Sequence, residues 1–253
     1  SSLVDLPFRL DPLSMLANAV ASRSIISGAL LGLVTLLLTL VLGRVWCGWI
    51  CPLGTVLDLF KFRNENRGRR PSEVWRSVKY LLLISILIAA VVSNLTLLIF
   101  DPINLLIRSI STSLLPAVDT AFTAVEKVLF QIPAFQDHLA RLDGWIRPLV
   151  LPQTPAVYHN GVLFAAVFFV VIGLNLIAPR FWCRSICPLG ALLGLVSKTA
   201  LIRRQVNDSC QTCGACARRC PTGTIDPENH YRSDPGECIV CMECVDSCPA
   251  QGN

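Results

Sequence analysis

Arg44-Val45-Trp46-Cys47-Gly48-Trp49-Ile50-Cys51-Pro52-Leu53-Gly54 is answered later in the chain by Arg180-Phe181-Trp182-Cys183-Arg184-Ser185-Ile186-Cys187-Pro188-Leu189-Gly190. Both copies keep arginine, tryptophan, two cysteines four apart and Pro-Leu-Gly in one order. Each follows an apolar run, and each run follows an Asp-Pro step, Leu10-Asp11-Pro12-Leu13 in the first copy and Phe100-Asp101-Pro102-Ile103 in the second. Self-similarity on this scale marks a duplicated architecture. The shared order and direction predict parallel halves related by a pseudo-two-fold axis along a membrane normal. Aspartate suits a helix cap and proline the first helical turn. The Asp-Pro steps therefore predict short helices, expected along the outer face.

The chain of 253 residues is 53% hydrophobic and 15% charged, with mean hydropathy +0.58, which is too apolar for an ordinary soluble domain. Three uncharged runs have the character of membrane-spanning helices: Ile25 to Leu42, Tyr80 to Phe100, and Val162 to Ala178. Arginine and lysine crowd the segments after the first and third runs (Arg44, Lys61, Arg63, Arg67, Arg69, Arg70, Arg76 and Lys79; Arg180, Arg184, Lys198, Arg203 and Arg204). The segment from Asp101 to Asn160 mixes both signs. The positive-inside rule puts the basic side in the cytoplasm. Topology thus accounts for the net charge of +5, and no nucleic-acid partner is expected. His138, His159 and His230 all lie outside the apolar runs, which argues against a haem held between intramembrane histidines. A span precedes Asp101, but only ten residues precede Asp11, so the repeat predicts a fourth span upstream of Ser1. The chain is also expected to continue past Asn253. Thr112 to Tyr158 reads as an insertion of amphipathic helices on the outer face, for membrane-surface or partner contact.

Near the C-terminus, Cys210, Cys213, Cys216 and Cys220 precede Pro221, and Cys238, Cys241, Cys244 and Cys248 precede Pro249. This C-x2-C-x2-C-x3-C-P run, given twice, is the bacterial ferredoxin ligand pattern, in which the fourth cysteine serves the other cluster. Cys210, Cys213, Cys216 and Cys248 are therefore expected on one [4Fe–4S] cluster, and Cys238, Cys241, Cys244 and Cys220 on a second. Each cluster would staple two distant segments and supply folding free energy to a module too small for much core. Zinc prefers paired C-x2-C knuckles. Disulfides fit neither the spacing nor a reducing compartment.

Cys47, Cys51, Cys183 and Cys187 form the repeated C-x3-C-P pairs. Four apart on a helix, each pair shares a face, and Pro52 and Pro188 place the second cysteine at a helix break. A pseudo-two-fold brings all four thiols together at the cytoplasmic edge of the bilayer. They suit a third iron–sulfur cluster, a soft metal such as copper, or a dithiol couple. The alternative is four structural cysteines in an apolar core. Trp46, Trp49 and Trp182 read as interfacial anchors, and Arg44 and Arg180 as topology signals that could also face an anionic cluster or a quinone oxygen. Asp58 is a paired or solvated carboxylate, or an acceptor for a quinol proton.

The two Trp-Cys-x3-Cys-Pro-Leu-Gly motifs, the spans before them and the paired C-terminal runs resemble the NapH-type membrane ferredoxins, whose relatives include NosR and CcoG. The resemblance runs from about Asp11 to Ala250. It implies electron passage between membrane quinol and a redox partner, or a part in assembling or regulating respiratory enzymes, and it implicates all twelve cysteines. The expectation is a mainly α-helical, multi-pass protein of the inner (cytoplasmic) membrane. Residues 1–204 form the duplicated membrane domain, with the outer-face insertion at about 112–160, and residues 205–253 an α+β ferredoxin domain with two [4Fe–4S] clusters. Its partners would be lipid, quinone and other subunits of a respiratory complex, with no catalytic substrate site of its own beyond quinone chemistry. Copper assembly factor and redox-sensing regulator are the alternatives.

Overall fold

The structure, a computed structural model, describes residues 8–24, 29–60, 73–131 and 160–249. The chain divides into two compact units, Ser1–Asn104 with Val171–Asn253, and Leu105–Val170.

In the first unit, α1 (Pro12–Ser22), α2 (Ala29–Leu42), a π-helical turn (Trp46–Ile50), α3 (Pro52–Leu59) and α4 (Glu73–Val91) lead to a 3-10 turn (Thr96–Phe100) and the start of α5 (Pro102–Ser109). Helix α1 packs on α2, α4 and α9 (Pro188–Ser197), and α9 packs on α2 and α4. Leu13, Leu53, Leu57, Ile86, Leu189 and Leu193 are fully buried among these elements. The approach of α1 to α2 is close because Gly32 has no side chain: a Cβ there would lie 2.6 Å from the Met15 sulfur and 3.3 Å from Pro12 Cα. Thr35, inside an otherwise apolar helix, donates its hydroxyl to Leu10 O at 2.9 Å, so no lone polar group is buried there.

Both Asp-Pro steps start helices. Asp11 accepts from Leu13 N at 3.0 Å, and Asp101 from the amides of Ile103 and Asn104, both at 3.1 Å. The first residues of both helices are packed inside the fold. Asp11, Pro12, Leu13 and Ser14 are buried, as are Asp101, Pro102 and Ile103, because α1 is wedged into the helix bundle.

The apolar runs differ from the expected spans. Among the described residues one helix, Val74–Val91, is long and apolar enough to cross a membrane; Leu30–Leu42 and Gly161–Leu174 are shorter apolar helices. The run from Tyr80 to Phe100 is not one helix. It breaks where Ser93 takes a positive φ of 58° and Asn94 Oδ1 accepts from Thr96 N at 3.0 Å. A side-chain turn thus outcompetes the helix, as asparagine commonly does. The third run stops at Leu174 because the Asn175 carboxamide is committed elsewhere, donating to Leu57 O at 2.6 Å and accepting from Arg180 N at 2.7 Å. Residues 25–28 of the first expected span lie outside the described residues.

In the second unit, the end of α5 runs through a π-helical turn (Ile110–Leu114) into α6 (Leu115–Leu129), and α7 (Gly161–Leu174) begins. Gly161 sits against the Thr112 carbonyl, where a Cβ would come within 2.6 Å. The expected insertion contributes α6; residues 132–159 lie outside the described residues.

The C-terminal segment of the first unit holds α8 (Phe181–Ser185), α9, α10 (Ala215–Arg219), a two-stranded antiparallel hairpin β1 (Ile225–Asp226) and β2 (Arg232–Ser233), and α11 (Glu243–Asp246). The register pairs Ile225 with Ser233 and Asp226 with Arg232. After α9, the amides of Leu201 and Ile202 donate to Leu40 O and Val41 O at 3.1 and 3.0 Å, satisfying carbonyls at the end of α2.

Candidate functional site

The two C-x3-C-P copies share one backbone shape. Cys51 (φ −60°, ψ 116°) caps α3, and Cys187 (φ −61°, ψ 112°) caps α9. Each amide reaches back five residues, Cys51 N to Trp46 O at 2.8 Å and Cys187 N to Trp182 O at 2.9 Å. Pro52 and Pro188 take the first helical position, where no amide is needed. Cys47, Cys51 and Cys187 are buried and Cys183 is half-buried. The four thiols lie close enough to feel one another's charge. Burial, then the neighbouring thiols, push Cys51 and Cys187 upward, and burial lifts Cys183 to about 11 although Arg180 opposes it. Four ionised thiols therefore require a compensating cation here.

The arginines of the motifs are exchanged between the halves. Arg180, from the second copy, donates to Cys47 O at 2.8 Å and Gly48 O at 3.3 Å in the first. It also grips Asp58 with a fork, Nε to Oδ1 at 3.0 Å and Nη2 to Oδ2. Arg44, from the first copy, crosses to the second, where a Cβ on Gly190 would sit 2.8 Å from its Nη2. Arg44 and Arg180 are 2% and 4% exposed. A topology signal needs no burial, so their burial favours the other reading of the two arginines, as cations packed beside the thiols. Trp46 and Trp182 also depart from expectation. Both are buried, and neither indole Nε1 has a hydrogen-bond partner among the described residues. Of the three motif tryptophans, Trp49 has the exposure of an interfacial residue. Their identical place in each repeat was the signal available in the sequence.

Residues 235–241, which carry Cys238 and Cys241, are clamped onto this centre. Lys79 Nζ meets Glu237 Oε1 and Oε2 at 2.5 and 2.7 Å, and Arg44 Nη1 meets Oε2 at 3.4 Å and Gly236 O at 2.8 Å. Trp49 Nε1 donates to Val240 O at 3.0 Å, and Ser197 Oγ to Pro235 O at 3.0 Å. Two glycines make room: a Cβ on Gly48 would lie 2.3 Å from Ile239 O, and one on Gly194 2.8 Å from Gly236 O. Gly48→Ala is expected to push the loop away and cost about 1–3 kcal/mol, as overpacking does. A lowered unfolding midpoint, with faster proteolysis near Val240, would show it.

Two cavities occupy the C-terminal segment. One, of about 270 Å³, is lined by Cys210, Cys213, Cys216, Cys244 and Cys248. The other, of about 250 Å³, is lined by Cys220, Cys238, Cys241 and Cys244. A third, of about 160 Å³, lies between Gly48, Trp49, Asp58 and Arg180 on one side and Pro221, Cys241 and Glu243 on the other. All twelve cysteines are free thiols. Among the described residues no three His, Cys, Asp or Glu side chains gather closely enough to hold one metal ion.

Known proteins share parts of this sequence. A sequence family described as a 4Fe-4S binding domain matches residues 25–70 and 160–207, the two segments that carry the C-x3-C-P copies. The ferredoxin-type protein NapH of Haemophilus influenzae is 25% identical over 251 residues, 94% of this chain and 71% of that protein. The methylamine utilization ferredoxin-type protein MauN of Paracoccus denitrificans is 28% identical over 216 residues, 83% of this chain and 60% of MauN. The protein YccM of Escherichia coli is 27% identical over 235 residues, 89% of this chain but 55% of YccM. No solved structure matches. The chain is thus similar to ferredoxin-type proteins, NapH among them, and two of its segments match a 4Fe-4S binding domain.

Proposed function

We propose that this chain is a multi-pass, membrane-bound electron-transfer subunit that moves electrons between the quinone pool and a redox partner within a larger respiratory complex. The observation that carries the reading is the clamp. Four thiols from the two repeats, three buried and one half-buried, lie within reach of one another's charge, and the loop bearing Cys238 and Cys241 is held beside them by Lys79, Arg44, Trp49 and two glycine notches. Residues 1–204 then form the membrane domain and residues 205–253 the ferredoxin domain, both cysteine-rich regions facing the cytoplasm.

The donor sets fit iron–sulfur clusters. One cavity is lined by Cys210, Cys213, Cys216, Cys244 and Cys248, and the next by Cys220, Cys238, Cys241 and Cys244; Cys248 beside the earlier run and Cys220 beside the later one support the crossed grouping. At the C-x3-C-P centre, Cys47, Cys51, Cys183 and Cys187 would hold a third cluster. Bound clusters supply one-electron transfer. Arg44 and Arg180 offset the thiolate charge, and the Trp46 and Trp182 indoles are donors still available for sulfur. Asp58 keeps Arg180 in place from beside the third cavity, where a quinone head group would meet Arg180 and Trp49.

The test is quinol-driven reduction followed by electron paramagnetic resonance. In the intact complex, added quinol is expected to produce the signals of reduced clusters. No reduction by any quinol would overturn the reading. Cys220→Ala is expected to remove the cluster held chiefly by the later run, and Cys248→Ala the one held by the earlier run; loss in the uncrossed order would refute the ligand assignment.

A further inference from the structure

We propose that Asp11 and Asp101 together form a proton-binding site at the junction of the two repeats, holding one shared proton and taking a second when negative charge arrives at the C-x3-C-P thiols. The second half of this statement rests on the electron-transfer reading above; the first half does not.

The two Asp-Pro helix starts face each other. Asn104, three residues after Asp101, donates to the hydroxyl of Ser14, three residues after Asp11, at 2.9 Å. The charge of Asp11 acts on Asp101 across the same junction. Each aspartate is 0% exposed. Each spends one oxygen on its helix, Asp11 Oδ1 on Leu13 N, and Asp101 Oδ2 on the amides of Ile103 and Asn104. The other oxygens, Asp11 Oδ2 and Asp101 Oδ1, have no donor among the described residues.

Two buried carboxylates, each with one orphaned oxygen, repel across a dry junction if both groups are ionised. A single proton between them removes one charge and satisfies both oxygens at once, as in other carboxyl pairs. The remaining charge is favoured by two helix N-termini. Burial lifts both groups above the ordinary carboxylate range, and the neighbouring carboxylate lifts Asp101 further. The folded state then binds protons that the unfolded chain has released. The pair's contribution to stability is complete at low pH and is lost as pH rises from the ordinary carboxylate range through the raised values.

The groups around the pair do not neutralise it. Ser14 and Asn104 are uncharged. Helices α2 and α9 contain no ionisable side chain, and α4 brings Arg76, Lys79 and Tyr80 near its start, with Lys79 committed to Glu237. The thiol centre is nearby: Asp101 raises Cys51 through its charge, and Phe100 stacks on Trp182, the neighbour of Cys183, at 6.3 Å. Were a redox centre held by these thiols, a reduced viologen would supply it with one electron and be oxidised in turn. One proton from water then converts the pair from acid plus carboxylate to two acids.

The experiment is infrared spectroscopy of the full-length protein, with aspartate isotope-labelled at the side-chain carboxyl carbon. At neutral pH a carboxylic-acid band that shifts with the label and in heavy water is expected, and it should vanish in Asp101→Asn and in Asp11→Asn. Absence of a label-sensitive acid band in the unmutated protein overturns the site, whatever the variants do, and so does its persistence in both folded variants. Coupling is read from the midpoint potential of the thiol centre, expected to fall by about 59 mV per pH unit for one proton per electron and to become pH-independent in Asp101→Asn. A pH-independent potential in the unmutated protein overturns the coupling. If the thiols give no redox signal at all, the coupling falls with the electron-transfer reading, while the acid band still decides the proton site.

Discussion

Glu237→Ala is expected to destabilise the protein by about 3–5 kcal/mol, the cost of breaking a buried ion pair by removing one partner. Lys79 is 0% and Arg44 2% exposed at the side chain, and Glu237 is 8%. Without the carboxylate, two cations remain in a site with little water, and the loop carrying Cys238 loses its main anchor. Denaturant unfolding followed by tryptophan fluorescence would measure the loss, and the same variant should release the loop to protease. The triple replacement Arg44→Met, Lys79→Met, Glu237→Leu separates charge burial from loop position. It is expected to recover much of the stability, because apolar groups of similar size carry no desolvation cost. An unchanged midpoint in Glu237→Ala would mean that the carboxylate does not hold the loop.

Cys187→Ser is expected to lower the iron content of anaerobically purified protein from about twelve to about eight atoms per chain, three clusters giving way to two. The two ferredoxin-type signals should survive, since Cys187 lines neither of their cavities. Cys47→Ser should behave in the same way, because the two residues belong to one centre although they come from different repeats. Iron and sulfide analysis beside paramagnetic spectra decides the matter. About eight irons in the unmutated protein, with copper near one equivalent that either substitution removes, would replace the third cluster by a copper site.

The cysteine pattern was the most legible part of the sequence. Spacing in a ligand run is set by the size of what it grips, so the crossed grouping is an expectation that spacing alone supplies. The repeat was equally plain, and the matching dihedral angles at Cys51 and Cys187 are its structural counterpart. Polar residues inside apolar surroundings were harder to read. Ser93 and Asn94 end a helix that hydropathy alone would continue, because a window average does not register one asparagine closing a turn. Arg44 and Arg180 look like any flanking arginines until the halves are brought together. Asp11 and Asp101 read as ordinary caps for the same reason, since a residue that meets its own repeat-mate leaves no local mark. Glu237 carried no signal, being one acid in a mixed loop whose two partners lie far away in sequence.

The exchanged arginines bear on how such a chain can arise. A single repeat standing alone would hold its arginine out toward a cysteine loop it does not possess. Two identical copies paired about an exact dyad would each complete the other, as self-complementary interfaces require, so a homodimer of the ancestral repeat already satisfies the chemistry. Fusion then frees the two sides to diverge, and here they have. One arginine now answers to Asp58 within the old interface, and the other to Glu237 in an appended module. A chain split between its repeats should accordingly regain its centre when both pieces are made together, and neither piece should do so by itself.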